Sequence, residues 1–122
     1  MPASSVDTVY SISTIEHIPE EELTGLAGEI ARLLKPGGSC VLTIDLFLDL
    51  HPFTTEKANN WGCNIDVREF VDASGLDLVV GTAAELFGYP QFSVDSVLSN
   101  LDEYLIGAHP TLTHCLVLRR PA

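Results

Sequence analysis

The chain has 122 residues, 46% of them hydrophobic, which fits one domain or part of one and excludes a disordered composition. Asp and Glu number 17 against 6 Lys and Arg, a net charge of −11, so the surface repels phosphate backbones and anionic lipid; no nucleic acid and no membrane is expected as a partner. Cys40, Cys63 and Cys115 are widely spaced with no Cys-x-x-Cys pair, residues 1–5 do not resemble a leader, and the apolar runs fall far short of the roughly 18 residues of a membrane span, so a reducing, cytoplasmic location is expected.

Val6 to Ile12 (VDTVYSI) is rich in β-branched and apolar residues and reads as a buried strand. Pro19 fits the first position of a helix, where a missing N–H costs nothing, and Glu20, Glu21 and Glu22 favour the positive end of its dipole. Leu23, Leu26, Ala27, Ile30, Leu33 and Leu34 follow as one apolar stripe, with Lys35 in the last turn and Pro36-Gly37-Gly38 as the stop. Cys40 to Phe47 (CVLTIDLF) is nearly continuously apolar, as in a strand covered on both faces. Strand, helix and strand then make a right-handed βαβ unit in a parallel sheet.

Residues 48–64 read as irregular. Asp66, with Glu69 three residues on, predicts a capped helix carrying Val67, Phe70 and Val71 and ending at Gly75. Leu76 to Val80 is a third strand, and residues 83–92 form a loop holding Pro90. Ser93 caps a helix predicted through Leu105, with Val94, Val97, Leu98, Leu101 and Leu105 on one side and Pro110 as its breaker. Thr113 to Arg119 is the last strand, and no internal repeat or linker is visible.

Two phrases sharpen this order. VDTVYSISTIEHIP, followed about 20 residues on by LLKPGGSCVLTID, resembles the fourth strand, fourth helix and fifth strand of class I S-adenosylmethionine-dependent methyltransferases of the type 11-like kind. The resemblance covers residues 1–45 closely and the remainder in element order. It implies an α/β fold, a partial Rossmann-like doubly wound sheet made of strands four to seven of such a domain, with the last strand antiparallel. Residues 1–122 would then be the C-terminal part of one domain, with the N-terminal cofactor-loop half absent. The family's Gly-x-Gly-x-Gly turn follows a strand; Gly37-Gly38 follow a helix and cannot be that turn. Met1 to Ser5 resemble the loop that precedes strand four, so a fragment, a split gene or a misplaced start is expected.

In open α/β sheets ligands lie beyond the carboxyl ends of the strands. The resemblance puts the backbone of Ser11, Ile12 and Ser13 beside the methionine part of S-adenosylmethionine in the complete domain, with weak or no binding by this chain alone. Glu16 and His17 follow that strand end and face the expected cleft; His17 suits a general base, with Glu16 as its orienter or a substrate contact. The alternative is that both only bind loop backbone and set the helix start. Some quinone-pathway relatives hold a metal through Glu-x-x-Glu-His, but the first acidic position is Ser13 here, so no metal is expected. Asp45, Asp49 and His51 have a spacing that suits a metal, although a solvated loop accounts for them too. Phe53, Trp61, Phe87, Tyr89 and Phe92 either wall an acceptor pocket or pack the long loops. His109 and His114 flank the last strand and are given no catalytic role.

The leading functional expectation is a methyltransferase segment that transfers a methyl group to a small-molecule acceptor once joined to its other half. A second is an inactive remnant that associates with itself or another chain through the free sheet edge at Val6–Ile12. A third, a fragment of another nucleotide-binding enzyme such as a dehydrogenase, fits Glu16-His17-Ile18-Pro19 with LKPGG poorly.

Overall fold

A computed structural model describes residues 1–100 and 111–122. In chain order it contains β1 (Val6–Ile12), a 3-10 turn (Ile15–His17), α1 (Glu20–Leu33), β2 (Leu34–Phe47), α2 (Val67–Ser74), β3 (Asp77–Val80), α3 (Val94–Ser99) and β4 (Thr111–Arg119). The sheet order is β1-β2-β4-β3. β1 and β2 are parallel, and β4 runs antiparallel to both β2 and β3. This is the expected partial doubly wound sheet, with the last strand inserted between β2 and β3.

Helix α1 forms for the reason its sequence suggests. Three acidic residues fill its first turn, and Leu23, Ala27 and Ile30 of the stripe are buried. Its ends differ from expectation. Pro19 is the N-cap rather than the first helical residue, because its ψ of 137° is extended. The helix stops at Leu33, and Leu34 is already extended, so Lys35 lies in β2 and not in the last helical turn. Proline at 36 disfavours the helical basin for Lys35, which turns the chain into strand before the glycines are reached. β2 therefore starts six residues earlier than Cys40, with Leu34 opposite Val6 and a register shift between Val6 and Thr8.

The remaining boundaries move by one or two residues. α2 is capped by Asp66, whose side chain accepts from the Glu69 N–H, and it ends at Gly75. Ser93 caps α3 through the Ser96 N–H. In α3 Val97 is buried, but Leu98 is 45% exposed and does not share its side; one helical position is about 100° of rotation. The predicted continuation through Leu101, Leu105 and Pro110, and His109, lies outside the described residues. β3 begins at Asp77, one residue later than expected, and β4 at Thr111, two residues earlier.

One face of the sheet makes the core. Cys40, Leu42 and Ile44 of β2 and Leu116 and Leu118 of β4 pack on the stripe of α1 and on Val67, Phe70 and Val71 of α2. A second cluster joins Leu46, Leu112 and Val97 with Phe53, Phe87 and Phe92. The alternate positions of β2 – Val41, Thr43 and Asp45 – are only half-buried, so the expectation of a strand covered on both faces fails among the described residues. β1, expected as a buried strand, has no buried residue, and its Tyr10 and Ile12 are 73% and 63% exposed; Cys115 of β4 is exposed too. The apolar run shows only that both sides tolerate burial; the described helices pack on one side. No helix among the described residues is long and apolar enough to cross a membrane.

Candidate functional site

β1 ends at Ile12, opposite Thr43, and the parallel β2 runs on through Asp45 to Phe47. β4 enters from the same end, and its Thr113 lies directly opposite Asp45. A cavity of about 270 Å³ opens there, lined by Ser13, His17, Asp45, Phe47, Trp61, Thr111 and Thr113. It sits where an open α/β sheet places its ligand, beyond the carboxyl ends of parallel strands.

Ser13 turns the chain out of β1. Its φ of 46° puts a non-glycine residue in the left-handed region, a conformation that costs about 1–3 kcal/mol and persists only when surroundings hold it. The holding groups are visible. The Ser13 N–H donates to the Thr43 carbonyl at 3.0 Å and to Thr43 Oγ1 at 2.9 Å. Its hydroxyl donates to Asp45 Oδ1 at 3.1 Å, which also accepts from Thr113 Oγ1 at 2.8 Å. Asp45 therefore ties together β1, β2 and β4 at the cavity floor.

Glu16 and His17, which were expected to face the cleft together, stay neighbours on the 3-10 turn but differ in exposure. His17 lines the cavity, whereas Glu16 is buried at 1% exposure. The Glu16 carboxyl makes no well-formed hydrogen bond; its neighbours are the Asp45 carboxylate and His17, whose Nε2 lies 3.8 Å from Oε1. Burial pushes the Glu16 carboxyl up to about 7, and the neighbouring Asp45 carboxylate adds to the rise, while backbone hydrogen bonding and His17 oppose it. The Gly62 backbone passes close to the Glu16 main chain. Gly62 has φ 147°, and a Cβ there would lie 2.4 Å from the Glu16 carbonyl oxygen, so glycine alone allows the approach.

The same segment orients His17. Its Nδ1 is hydrogen-bonded to the Trp61 carbonyl oxygen. A carbonyl only accepts, so Nδ1 carries the proton and Nε2 is left as the basic nitrogen. Glu16 was expected as its orienter or as a substrate contact; Glu16 Oε1 lies 3.8 Å from Nε2, and a backbone carbonyl 44 residues away holds Nδ1.

The other candidates separate. Ser11 and Ile12 pair with Leu42 and Thr43 inside β1 and do not line the cavity, although they lead directly into Ser13. Asp45, Asp49 and His51 do not converge: Asp49 accepts from Asn59 Nδ2 at 3.3 Å, and His51 meets the Phe87 ring edge-on at 6.1 Å. No group of three potential metal ligands comes together among the described residues. Of the five loop aromatics only Trp61 lines the cavity; Phe53, Phe87 and Phe92 pack in the second cluster and Tyr89 against the main core. Phe47, Thr111 and Thr113 carry no local signal, because their place depends on pairing across β2 and β4. His114 is buried beside Glu85, with 3.8 Å between Nε2 and Oε2. Burial lowers its basicity and Glu85 partly restores it.

Residues 1–42 match the family model described as methyltransferase domain. No curated protein sequence matches the chain. Solved structures similar to it include the [4+2]-cyclase SpnF, at 14% identity and a TM-score of 0.61, covering 100% of this chain and 53% of that one. Another is the geranyl diphosphate C-methyltransferase of Streptomyces coelicolor A3(2), solved with Mg2+, geranyl diphosphate and S-adenosyl-L-homocysteine, at 15% identity and TM-score 0.55, covering 98% and 48%. A third is an S-adenosylmethionine-dependent methyltransferase of Mesorhizobium loti, at 14% and 0.63, covering 98% and 64%. The chain spans about half the length of the first two and under two-thirds of the third. The fold is that of a class I methyltransferase domain, in part. The match over residues 1–42 and the shared fold make the chain similar to part of an S-adenosylmethionine-dependent methyltransferase domain.

Proposed function

We propose that this chain forms the acceptor-side wall of a methyltransferase that acts on a small molecule. The observation that carries the reading is the cavity beyond β1 and β2, into which His17 is fixed as the tautomer with Nε2 basic. A cyclase with the same fold shows that the fold alone does not set the chemistry, so the reading stands on the cavity.

Bound S-adenosylmethionine supplies an electrophilic methyl carbon for in-line displacement. On this chain, Ser11, Ile12 and Ser13 border the donor by analogy with the family. They do not suffice to hold it: the Ser13 N–H and hydroxyl are already engaged by Thr43 and Asp45. The glycine-rich donor-binding half is proposed to belong to another segment. His17 Nε2 receives the proton that the acceptor gives up as its new bond to the methyl carbon forms.

The test is to join the chain to a Gly-x-Gly-x-Gly segment found in frame upstream of Met1 and to follow transfer of a labelled methyl group to small-molecule acceptors. Transfer that requires both halves supports the reading. A joined protein that binds donor and transfers nothing overturns it.

A second reading has its own observation. β1 is the end strand of the sheet, its outer edge unpaired among the described residues, with Tyr10 and Ile12 exposed beside it. Such an edge is a template for pairing with a second copy. Sedimentation equilibrium giving a dimer that Ile12→Lys dissociates would favour it; a monomer at all concentrations would dismiss it.

A further inference from the structure

The cavity has an electrostatic character that the methyl-transfer reading does not use. Its one lining carboxylate is Asp45, and no Lys or Arg lines it among the described residues. Beside Asp45 lies Glu16, 1% exposed, which makes no well-formed hydrogen bond and interacts directly with the Asp45 carboxylate. Two carboxyl groups with so little between them make a site short of positive charge. An unmade hydrogen bond on a buried carboxyl is costly and calls for a partner. The walls add to this. Trp61, 59% exposed, and Phe47 line the same space, and an aromatic ring attracts a cation electrostatically.

We infer that the cavity is a subsite for a small organic ammonium, held by the Asp45 carboxylate, walled by Trp61 and Phe47, and neutralised also by Glu16 beside Asp45. This rests on the reading of the cavity as the acceptor side, and it narrows the acceptor to a molecule carrying an amine. A volume of about 270 Å³ suits a small aliphatic amine.

Glu16 links binding to protons. Unoccupied by a cation, Glu16 holds its proton near neutral pH, because it is buried beside another carboxylate. A bound ammonium favours the ionised form, so binding releases a proton and strengthens as pH rises through about 7. His17 faces Glu16 from the same turn and Asp45 faces it from β2. A protonated His17 opposes the cation with the same sign; Glu16→Gln separates the two, since it removes only the Glu16 contribution.

Trp61 is the single tryptophan, so its fluorescence reports the cavity. The probes are cyclohexylammonium, cyclohexanol and cyclohexanecarboxylate, equal in shape and different in charge, titrated into the chain as it exists. The expected result is a saturable change with the ammonium, at least about tenfold weaker binding of the alcohol, and none of the carboxylate. Asp45→Asn should weaken ammonium binding about tenfold or more. Because Asp45→Asn also alters the tie between three strands, the parent protein provides its own test. Its ammonium affinity should rise between about pH 6 and about pH 8, with proton release that Glu16→Gln abolishes. Equal affinity for ammonium and alcohol, or affinity that is flat or falling with pH, overturns the inference. These readouts need no donor and no methyl transfer. Ammonium binding without transfer in the joined protein would therefore sink only the methyltransferase reading, and transfer without ammonium preference would sink only this one.

Discussion

Replacing Glu16 by Gln should change how stability depends on pH, and the size follows from the site. In the unfolded chain the carboxyl ionises at its ordinary 4.5; in the folded chain burial and Asp45 hold the proton up to about 7. Below the lower value both states are protonated and Glu16 adds no pH dependence. As pH rises between the two, the unfolded state sheds the proton and the folded state keeps it, so unfolding gains ground. Above about 7 the penalty is complete. Each tenfold in proton affinity is about 1.4 kcal/mol, so the folded state has lost about 3 kcal/mol, a large part of the roughly 5–15 kcal/mol that a domain holds. Gln has nearly the shape of the protonated acid and cannot ionise. Urea unfolding of both proteins at several pH values measures the difference, and subtracting the curves cancels the other carboxylates of this acidic chain. Glu16→Gln should gain on the parent by about 3 kcal/mol between about pH 4.5 and about pH 8. A constant difference across that range would show that Glu16 ionises as freely in the folded chain as outside it.

Other consequences follow from the same structure. In the joined protein, His17→Ala should lower kcat about a hundredfold and leave donor affinity nearly unchanged, as for loss of a positioned base; equal kcat would remove His17 from the chemistry. The chain alone should bind S-adenosylmethionine more weakly than millimolar, since one or two hydrogen bonds of about 1 kcal/mol net do not offset the 4 kcal/mol or more lost on association. Micromolar, saturable heat in titration calorimetry would mean that the pocket is completed within the chain or by a second copy. Gly88→Ala should cost about 2–3 kcal/mol, read as a fall in Tm. Its φ is 106°, and the new Cβ would sit 2.1 Å from the Asp66 oxygen that caps α2. An unchanged Tm would show that the loop moves aside freely. Asp66→Ala should cost about 1 kcal/mol through the cap alone.

What could be read from the residues follows from how far each signal reaches along the chain. The stripe of α1, the caps Asp66 and Ser93, and the strand at Val6–Ile12 are local, and the structure keeps them. Lys35 was misplaced because two local signals competed, the apolar stripe running through Leu34 and the restriction imposed by Pro36, and the restriction acts sooner. The cavity is a different case. Asp45 and Ser13 are 32 residues apart, Asp45 and Thr113 are 68 apart, and only strand pairing brings them together. The approach of the Gly62 backbone to the Glu16 carbonyl oxygen has no periodicity to mark it. Glu16 and His17 are neighbours in a motif that invites one joint role, and their side chains stay within 3.8 Å, yet only His17 lines the cavity. Glu16 is buried beside Asp45, and His17 is turned to the Trp61 carbonyl, which fixes its tautomer. The motif thus marks one wall of the cavity, while the orientation of its histidine is set by a backbone carbonyl far along the chain.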